Sequence, residues 1–383
     1  MKKTISALAA ATMAFTSIVS VPAFAADPAG DVRTYNTYPS LVAGMVAPNA
    51  VVEDGYFTST DGKGTQIYWK KNVVPNSRGT VALIHGLAEN QERYDYITYR
   101  LNLEGYNVYR LDHRGHGRSA EPYTNVRKNL IDNFDNVQKD MKQLMQKIHA
   151  EQTGKVFLMG HSMGAMAAQY YAVKNPNDFD ALITNGGGIP VNPYGANTQQ
   201  PEYLRADGNP SIKFLAPFLN SEGRPLDPYD AMLGYDVAGA LGALGVDINQ
   251  VSSLPAHDSP QILQNNDVPN SFKLGVVDDP QVLDQLSNDP LNSDRINLST
   301  MYQIVYALGY AAQHAANYTG PTLIMHGDTD GLVPYPMDIN WYNAVGSTDK
   351  QMILWEDMMH ETMNSVARDK VIDHAIDFIN AHN

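Results

Sequence analysis

The sequence predicts an α/β protein: a mostly parallel central sheet flanked by helices, interrupted by an inserted, mainly helical cap. Three observations carry this. Six short apolar runs show little polar alternation, as strands buried on both faces of a parallel sheet do. Stretches with three- and four-residue apolar spacing lie between several of them, the pattern of amphipathic helices. And about 130 residues between Gly188 and Tyr318, rich in Pro, Gly, Asn and Asp, are too many for an ordinary connection and read as an insertion.

The elements follow in order. Tyr56 to Ser59 and Gln66 to Lys71 flank Asp61-Gly62-Lys63-Gly64 and predict a β-hairpin. The apolar runs are Val81 to Ile84, Tyr106 to Leu111, Val156 to Met159, Ala181 to Thr184, Thr322 to Met325 and Met352 to Trp355. Phe134, Val137, Met141, Leu144, Met145 and Ile148 predict a helix over 132–151. Met163 to Lys174 predicts a second, and Val366, Val371, Ile372, Ala375, Ile376 and Ile379 mark a C-terminal one. Within the insertion, Met232 to Val246 and Thr300 to Asn317 are candidate helices. The resulting division is a leader over 1–25, an arm over 26–53, a core over 54–188 and 319–383, and a cap over 189–318.

The start of the chain has Lys2 and Lys3, an uncharged stretch from Ile5 to Val21, and Ala23-Phe24-Ala25 before Asp27. This is the pattern of a bacterial secretory signal cleaved after Ala25, so a periplasmic or secreted protein is expected. The 383 residues carry 27 Lys+Arg against 41 Asp+Glu, a formal charge of −14. Removing the two leader lysines takes −14 to −16. That balance argues against nucleic acid as a partner and against steering to anionic lipid. No later apolar run is long enough to predict stable membrane insertion. The absence of cysteine excludes disulfides, thiolate metal sites and a cysteine nucleophile. Oligomeric state is left open.

The strongest chemical signal is Gly160-His161-Ser162-Met163-Gly164, set between a strand run and a helix run. A nucleophile at the tip of so sharp a turn needs small residues two positions to either side. The following helix aims its N-terminal N–H groups at developing negative charge. Ser162 then needs a base, and in sites with this motif the acid and the histidine follow it in that order. After His326 the remaining histidines are His360, His374 and His382. His374 falls in the C-terminal helix and His382 at the terminus, which favours His360, just past the sixth run. The acid belongs after the fifth run, where Asp328 and Asp330 compete. Asp328 sits at the turn and is suited to capping backbone N–H groups. Asp330 lies further into the loop and is favoured. The oxyanion donors expected are the backbone N–H groups of Met163 and Leu87. His161, beside the nucleophile, is read as packing or as a substrate-contacting residue at the pocket rim. The pair of histidines in His113-Arg114-x-His116 is read as structural rather than metal-binding.

Several segments together resemble the α/β-hydrolase superfamily, and within it the monoacylglycerol lipase and lysophospholipase group (the serine aminopeptidase-like hydrolase 4 family). His85-Gly86-Leu87-Ala88-Glu89-Asn90 with Arg93-Tyr94 is similar to that group's HGxGEH…RY loop, with Ala88 and Asn90 in place of Gly and His. Asp112 to Ser119 resembles its DxRGHGxS loop, and Gly160 to Gly164 its GHSMG turn. Asp289-Pro290-Leu291 resembles a DPL element, Gly327 to Pro334 the acid loop, and His360-Glu361-x-x-Asn364 the histidine loop. The likeness covers about 79–188 and 285–380 and is poorest over 190–284. It implies Ser162 as nucleophile, His360 as base, Asp330 as acid, and Leu87 and Met163 as oxyanion donors.

The activity implied is hydrolysis of carboxylic esters through an acyl-enzyme, on monoacylglycerol, lysophospholipid or similar single-chain esters. No cofactor and no metal are called for. The alternatives are a small-peptide or amide hydrolase on the same fold, and a non-catalytic binding protein.

Overall fold

The computed structural model describes residues 45–190, 202–210, 255–270 and 276–383. The leader, most of the arm and the candidate helix at Met232 to Val246 lie outside the described residues.

The chain enters the sheet through an antiparallel hairpin. Strand β1 (Val51–Thr58) pairs with β2 (Gln66–Val73) in a register that sets Thr58 opposite Gln66 and Val51 opposite Val73. The hairpin thus starts earlier than the alternation from Tyr56 suggests. Then come β3 (Gly79–Ile84), helix α1 (Asp95–Leu103), β4 (Tyr106–Leu111) and α2 (Phe134–Glu151). They are followed by β5 (Lys155–His161), α3 (Met163–Lys174) and β6 (Ala181–Asn185). Short pieces come next: β7 (Glu202–Leu204), α4 (Gln261–Gln264), β8 (Asp267–Pro269), α5 (Pro280–Asn288) and β9 (Arg295–Asn297). The chain closes with α6 (Leu298–His314), β10 (Thr322–Gly327), α7 (Pro336–Ala344), β11 (Lys350–Trp355) and α8 (Arg368–Ala381).

Nine strands form one sheet in the order β1-β2-β4-β3-β5-β6-β10-β11-β7. It is antiparallel across β1–β2 and β2–β4 and parallel from β4 onward. Both faces are covered, and the side-chain period of two explains how. On β3, Ala82 and Ile84 join a core with α2, α3, α6 and α7, while Val81 and Leu83 join the opposite core with α1 and α8. On β10, Ile324 and Met325 divide in the same way. A strand buried on both sides has no polar face, which is why these runs are continuous in the sequence.

The helices predicted at 132–151, 163–174, 300–317 and the C-terminus appear with small shifts. Helix α2 begins at Phe134 because Asn133 caps it, its side chain accepting from the Asp135 N–H. Val366 lies outside α8, exposed, its N–H held by Asp278. Strand β7, within the stretch read as a cap, adds to the sheet edge beside β11. No helix among the described residues is long and apolar enough to cross a membrane.

Candidate active site

The parallel strands run in the same direction, so their C-terminal ends gather several loops along one edge, where open α/β sheets place their sites. His85 follows β3, Ser162 follows β5, Gly186 follows β6, Asp330 follows β10 and His360 follows β11.

Ser162 stands at φ 53, ψ −125, a conformation an L-residue adopts only when its surroundings enforce it. The glycines on either side make the turn feasible by close approach. A Cβ at Gly160 would strike the backbone of Gly164 and Ala165, and one at Gly164 would strike the carbonyls of Ile84 and His85. The Ser162 N–H donates to the Asn185 carbonyl at 2.9 Å, which ties the turn to β6. Met163 is the first residue of α3, where leading N–H groups have no intrahelical acceptor.

Of the two aspartates, Asp330 meets the histidine. His360 Nδ1 lies 2.6 Å from Asp330 Oδ2, and both residues are buried. The other carboxylate oxygen of Asp330 accepts from the Leu332 and Val333 N–H groups, each at 2.8 Å. Burial works to raise the Asp330 pKa, but the imidazoles of His360 and His326 outweigh it and hold the carboxyl well below the usual range. His360 Nε2 is buried and has no partner. Asp328 has different duties: it accepts from the Asp357 N–H at 2.6 Å and from the Tyr203 hydroxyl, joining the turn to β7. His374 packs edge-on against Trp355, and His382 lies 3.1 Å from Asp349.

His161 is buried, with its Nδ1 2.9 Å from Asn185 Oδ1 and its ring centroid 4.8 Å from that of His360. Burial first, and the neighbouring His360 ring second, push its pKa down to about 3, so it stays neutral. Leu87 is half-buried against the core beneath the site. The next residue, Ala88, has φ 61, a left-handed conformation that glycine adopts without strain.

Two networks hold these loops, and sequence spacing alone does not reveal either. In the first, Glu89 Oε1 accepts from the Gly86 N–H at 2.5 Å and from the Tyr94 hydroxyl at 2.6 Å. Arg93 bonds Glu89 and grips Glu361, the residue after His360. In the second, Asn90 caps a short helical turn over Gln91–Tyr94 and reaches Asp289 and Asn292, both at 2.9 Å. The DPL element is therefore anchored to the loop after β3.

The His113-Arg114-x-His116 segment forms a buried hydrogen-bonded loop. The His113 N–H donates to His85 Nε2 at 2.9 Å, and Arg114 binds Asp140 and Asp61. Burial pushes the pKa of His113 to about 3 and that of His116 to about 4. Among the described residues no group of His, Asp and Glu is arranged to hold a metal ion.

A strained serine between a parallel strand and a helix, at the C-terminal edge of a sheet covered on both faces, is the arrangement of an α/β-hydrolase. The chain belongs to the serine aminopeptidase S33 family, whose match spans residues 75–366. It is 26% identical to the monoacylglycerol lipase of Mycolicibacterium smegmatis over 317 residues, covering 82% of this chain and 91% of that protein. It is 28% identical to the human monoglyceride lipase over 132 residues, covering 34% of this chain and 41% of the human protein. Among solved structures, the monoacylglycerol lipase of Paleococcus ferrophilus superposes with a TM-score of 0.61 at 18% identity, over 83% of this chain and 99% of that one. A soluble variant of the Saccharomyces cerevisiae monoglyceride lipase gives 0.63 at 18% identity, over 90% and 98%. At such identities the structural likeness is one of fold; with the family match, it makes the chain a serine hydrolase of the monoacylglycerol lipase-like group.

Proposed function

We propose that the protein is a serine carboxylic ester hydrolase that uses Ser162 as nucleophile, His360 as base and Asp330 as the acid orienting it. The observation that carries this reading is the His360–Asp330 bond of 2.6 Å with His360 Nε2 left unpartnered, on the same sheet edge as Ser162. His360 takes the Ser162 proton as the oxygen attacks the ester carbonyl. The N–H groups of Leu87 and Met163 stabilise the tetrahedral oxyanion, the leaving alcohol takes the proton back from His360, and water releases the acid in a second, equivalent step. His161, neutral and packed on His360, lines the imidazole.

Single-chain esters such as monoacylglycerol or lysophospholipid are the proposed substrates, on the strength of the lipases this chain is similar to. The acidic balance of the chain favours neutral or dispersed esters over anionic membrane lipid. Export after cleavage at Ala25 is part of the same reading, and intact mass of the protein recovered from a bacterial periplasm should give Ala26 as the first residue.

The deciding experiment is a substrate panel with fluorophosphonate labelling. Monoacylglycerols, lysophosphatidylcholine and p-nitrophenyl esters should be turned over, and labelling should vanish in Ser162→Ala. Preferential cleavage of aminoacyl anilides would move the assignment to amide hydrolysis, and an unlabelled, inert protein would make it a binding protein.

A further inference from the structure

Behind Asp330 lies a histidine that the mechanism above does not use. His326, the next-to-last residue of β10, is fully buried and is held at both ring nitrogens. Its Nε2 lies 2.8 Å from the Val333 carbonyl oxygen and 2.9 Å from Asp330 Oδ2. Its Nδ1 lies 2.7 Å from Asp338 Oδ2, on α7. A carbonyl oxygen only accepts, so Nε2 must carry a proton. Asp338 Oδ2 already accepts from the Gly187 N–H at 3.2 Å, and its partner oxygen faces the amide of Gln169 at 3.5 Å. At 2.7 Å a bare Nδ1 would set its lone pair directly against a carboxylate oxygen. The contact needs a proton on Nδ1 as well.

We propose that His326 stands as an imidazolium between Asp338 and Asp330, and that it is a positioning residue for the His360–Asp330 pair. This rests on the proposed roles of Ser162, His360 and Asp330. Asp330 Oδ2 is shared between two imidazoles, Nε2 of His326 behind it and Nδ1 of His360 in front. The rear cation fixes the carboxylate in the plane His360 needs. It also draws on the negative charge that faces His360. Burial alone lowers the pKa of His326, but its hydrogen bonds to Asp330 and Asp338 reverse this and raise it to about 10. The charged groups facing His326 are Asp330 from the acid loop and Asp338 from α7; α3 contributes only the neutral Gln169. Those around His360 are Asp330, the His161 ring, and the Arg93–Glu361 pair behind it.

The test combines two variants with one direct measurement. In His326→Gln the cation is gone. In Asp338→Asn the carboxylate that holds the proton on Nδ1 loses its charge while the ring itself stays in place. His326→Gln should move the acid limb of the kcat/KM profile to higher pH by about one unit, since loss of a nearby positive charge favours protonated His360; Asp338→Asn should move it less, because the negative charge lost with the aspartate offsets part of the effect. A role confined to packing would lower activity at every pH and leave the limb in place. Nitrogen-15 spectra of the wild-type imidazoles at pH 8 should show one ring protonated at both nitrogens, absent from His326→Gln. A His326 ring with one bare nitrogen at pH 8, or an unmoved acid limb in His326→Gln, overturns the proposal. If His326→Gln does not fold, the wild-type spectra still decide. If Ser162→Ala keeps its activity, the triad reading fails on its own account, whatever the limb does.

Discussion

Arg93 grips Glu361 with both terminal nitrogens, at 3.0 and 2.6 Å, and so fastens the loop after β3 to the loop that carries His360. The same guanidinium binds Glu89, whose other oxygen holds the Gly86 N–H. One buried cation therefore sets the distance between the proposed oxyanion donor Leu87 and the proposed base. Arg93→Lys keeps the charge but cannot span two carboxylates in one plane. It should lower kcat by about 10- to 100-fold with little change in KM, because the loops shift relative to each other and not to the substrate chain. Arg93→Met leaves two buried carboxylates unpaired and should cost about 3–5 kcal/mol in denaturant unfolding. Wild-type kinetics in Arg93→Lys would show that the clamp serves stability alone.

The two aspartates of the acid loop should separate cleanly. Asp330→Asn leaves His360 without its carboxylate and should lower kcat by about 10³- to 10⁴-fold while substrate binding persists. Asp328 contacts Tyr203 and the Asp357 N–H, and not His360. Asp328→Asn should cost at most about 1–2 kcal/mol of stability and leave turnover within a few-fold of wild type. Steady-state kinetics of the pair, with Ser162→Ala as the reference for a dead enzyme, check both; equal losses in the two variants would falsify the assignment of Asp330.

The parallel strands are legible in the sequence because burial on both faces leaves them uniformly apolar and ends each in a turn. Ser162, Asp330 and His360 are legible because they sit at the ends of such runs, where chain order constrains the choice. Helix α1 is not, since its buried side includes Asp95, Thr98 and Asn102, which spoil the apolar stripe. Asp95 is there to pair with Arg110 on β4 at 2.6 Å, and Asn102 to hold the Tyr106 carbonyl at 2.8 Å. Helix α7 hides Asp338 in the same way, so the His326–Asp338 contact has no local signature. The Arg93–Glu361 clamp joins residues 268 apart, a pairing that only the folded sheet brings about.

Acid should loosen this clamp. Glu361 is buried; burial would raise its pKa, but Arg93 outweighs it and holds the value at about 2, against 4.5 in an unfolded chain. A depressed carboxylate stabilises the fold above the unfolded value and loses that contribution as pH falls toward the folded one. The contribution of Glu361 is therefore full above about pH 5 and fades between pH 4.5 and 2. Its neighbour Glu89 works in the opposite sense, since burial raises its pKa. Comparison with Glu361→Gln isolates the Glu361 part: the wild-type melting temperature should fall more steeply from pH 6 to pH 3 than that of the variant. Parallel curves would mean that the ion pair does not govern acid stability.

Ala88 is a further point where one atom can be tested. Its φ of 61 places a methyl group in a region where an L-residue pays about 1–2 kcal/mol, immediately after Leu87. Ala88→Gly removes that strain but loosens the unfolded chain by roughly 0.5–1 kcal/mol, so the two effects nearly cancel or leave a small gain. The Ser293 N–H bond to the Ala88 carbonyl, 3.0 Å long, is a backbone contact and survives the change. Melting temperature and kcat should therefore stay close to wild type. Ala88→Val puts a β-branched residue at the same φ, where it does not fit, in a position only 5% exposed. That variant should lose stability and, because Leu87 shifts with the strained loop, should lose kcat more than it changes KM. If the valine variant matches the glycine variant in both measurements, the loop is not held in the conformation that aims the Leu87 N–H at the oxyanion.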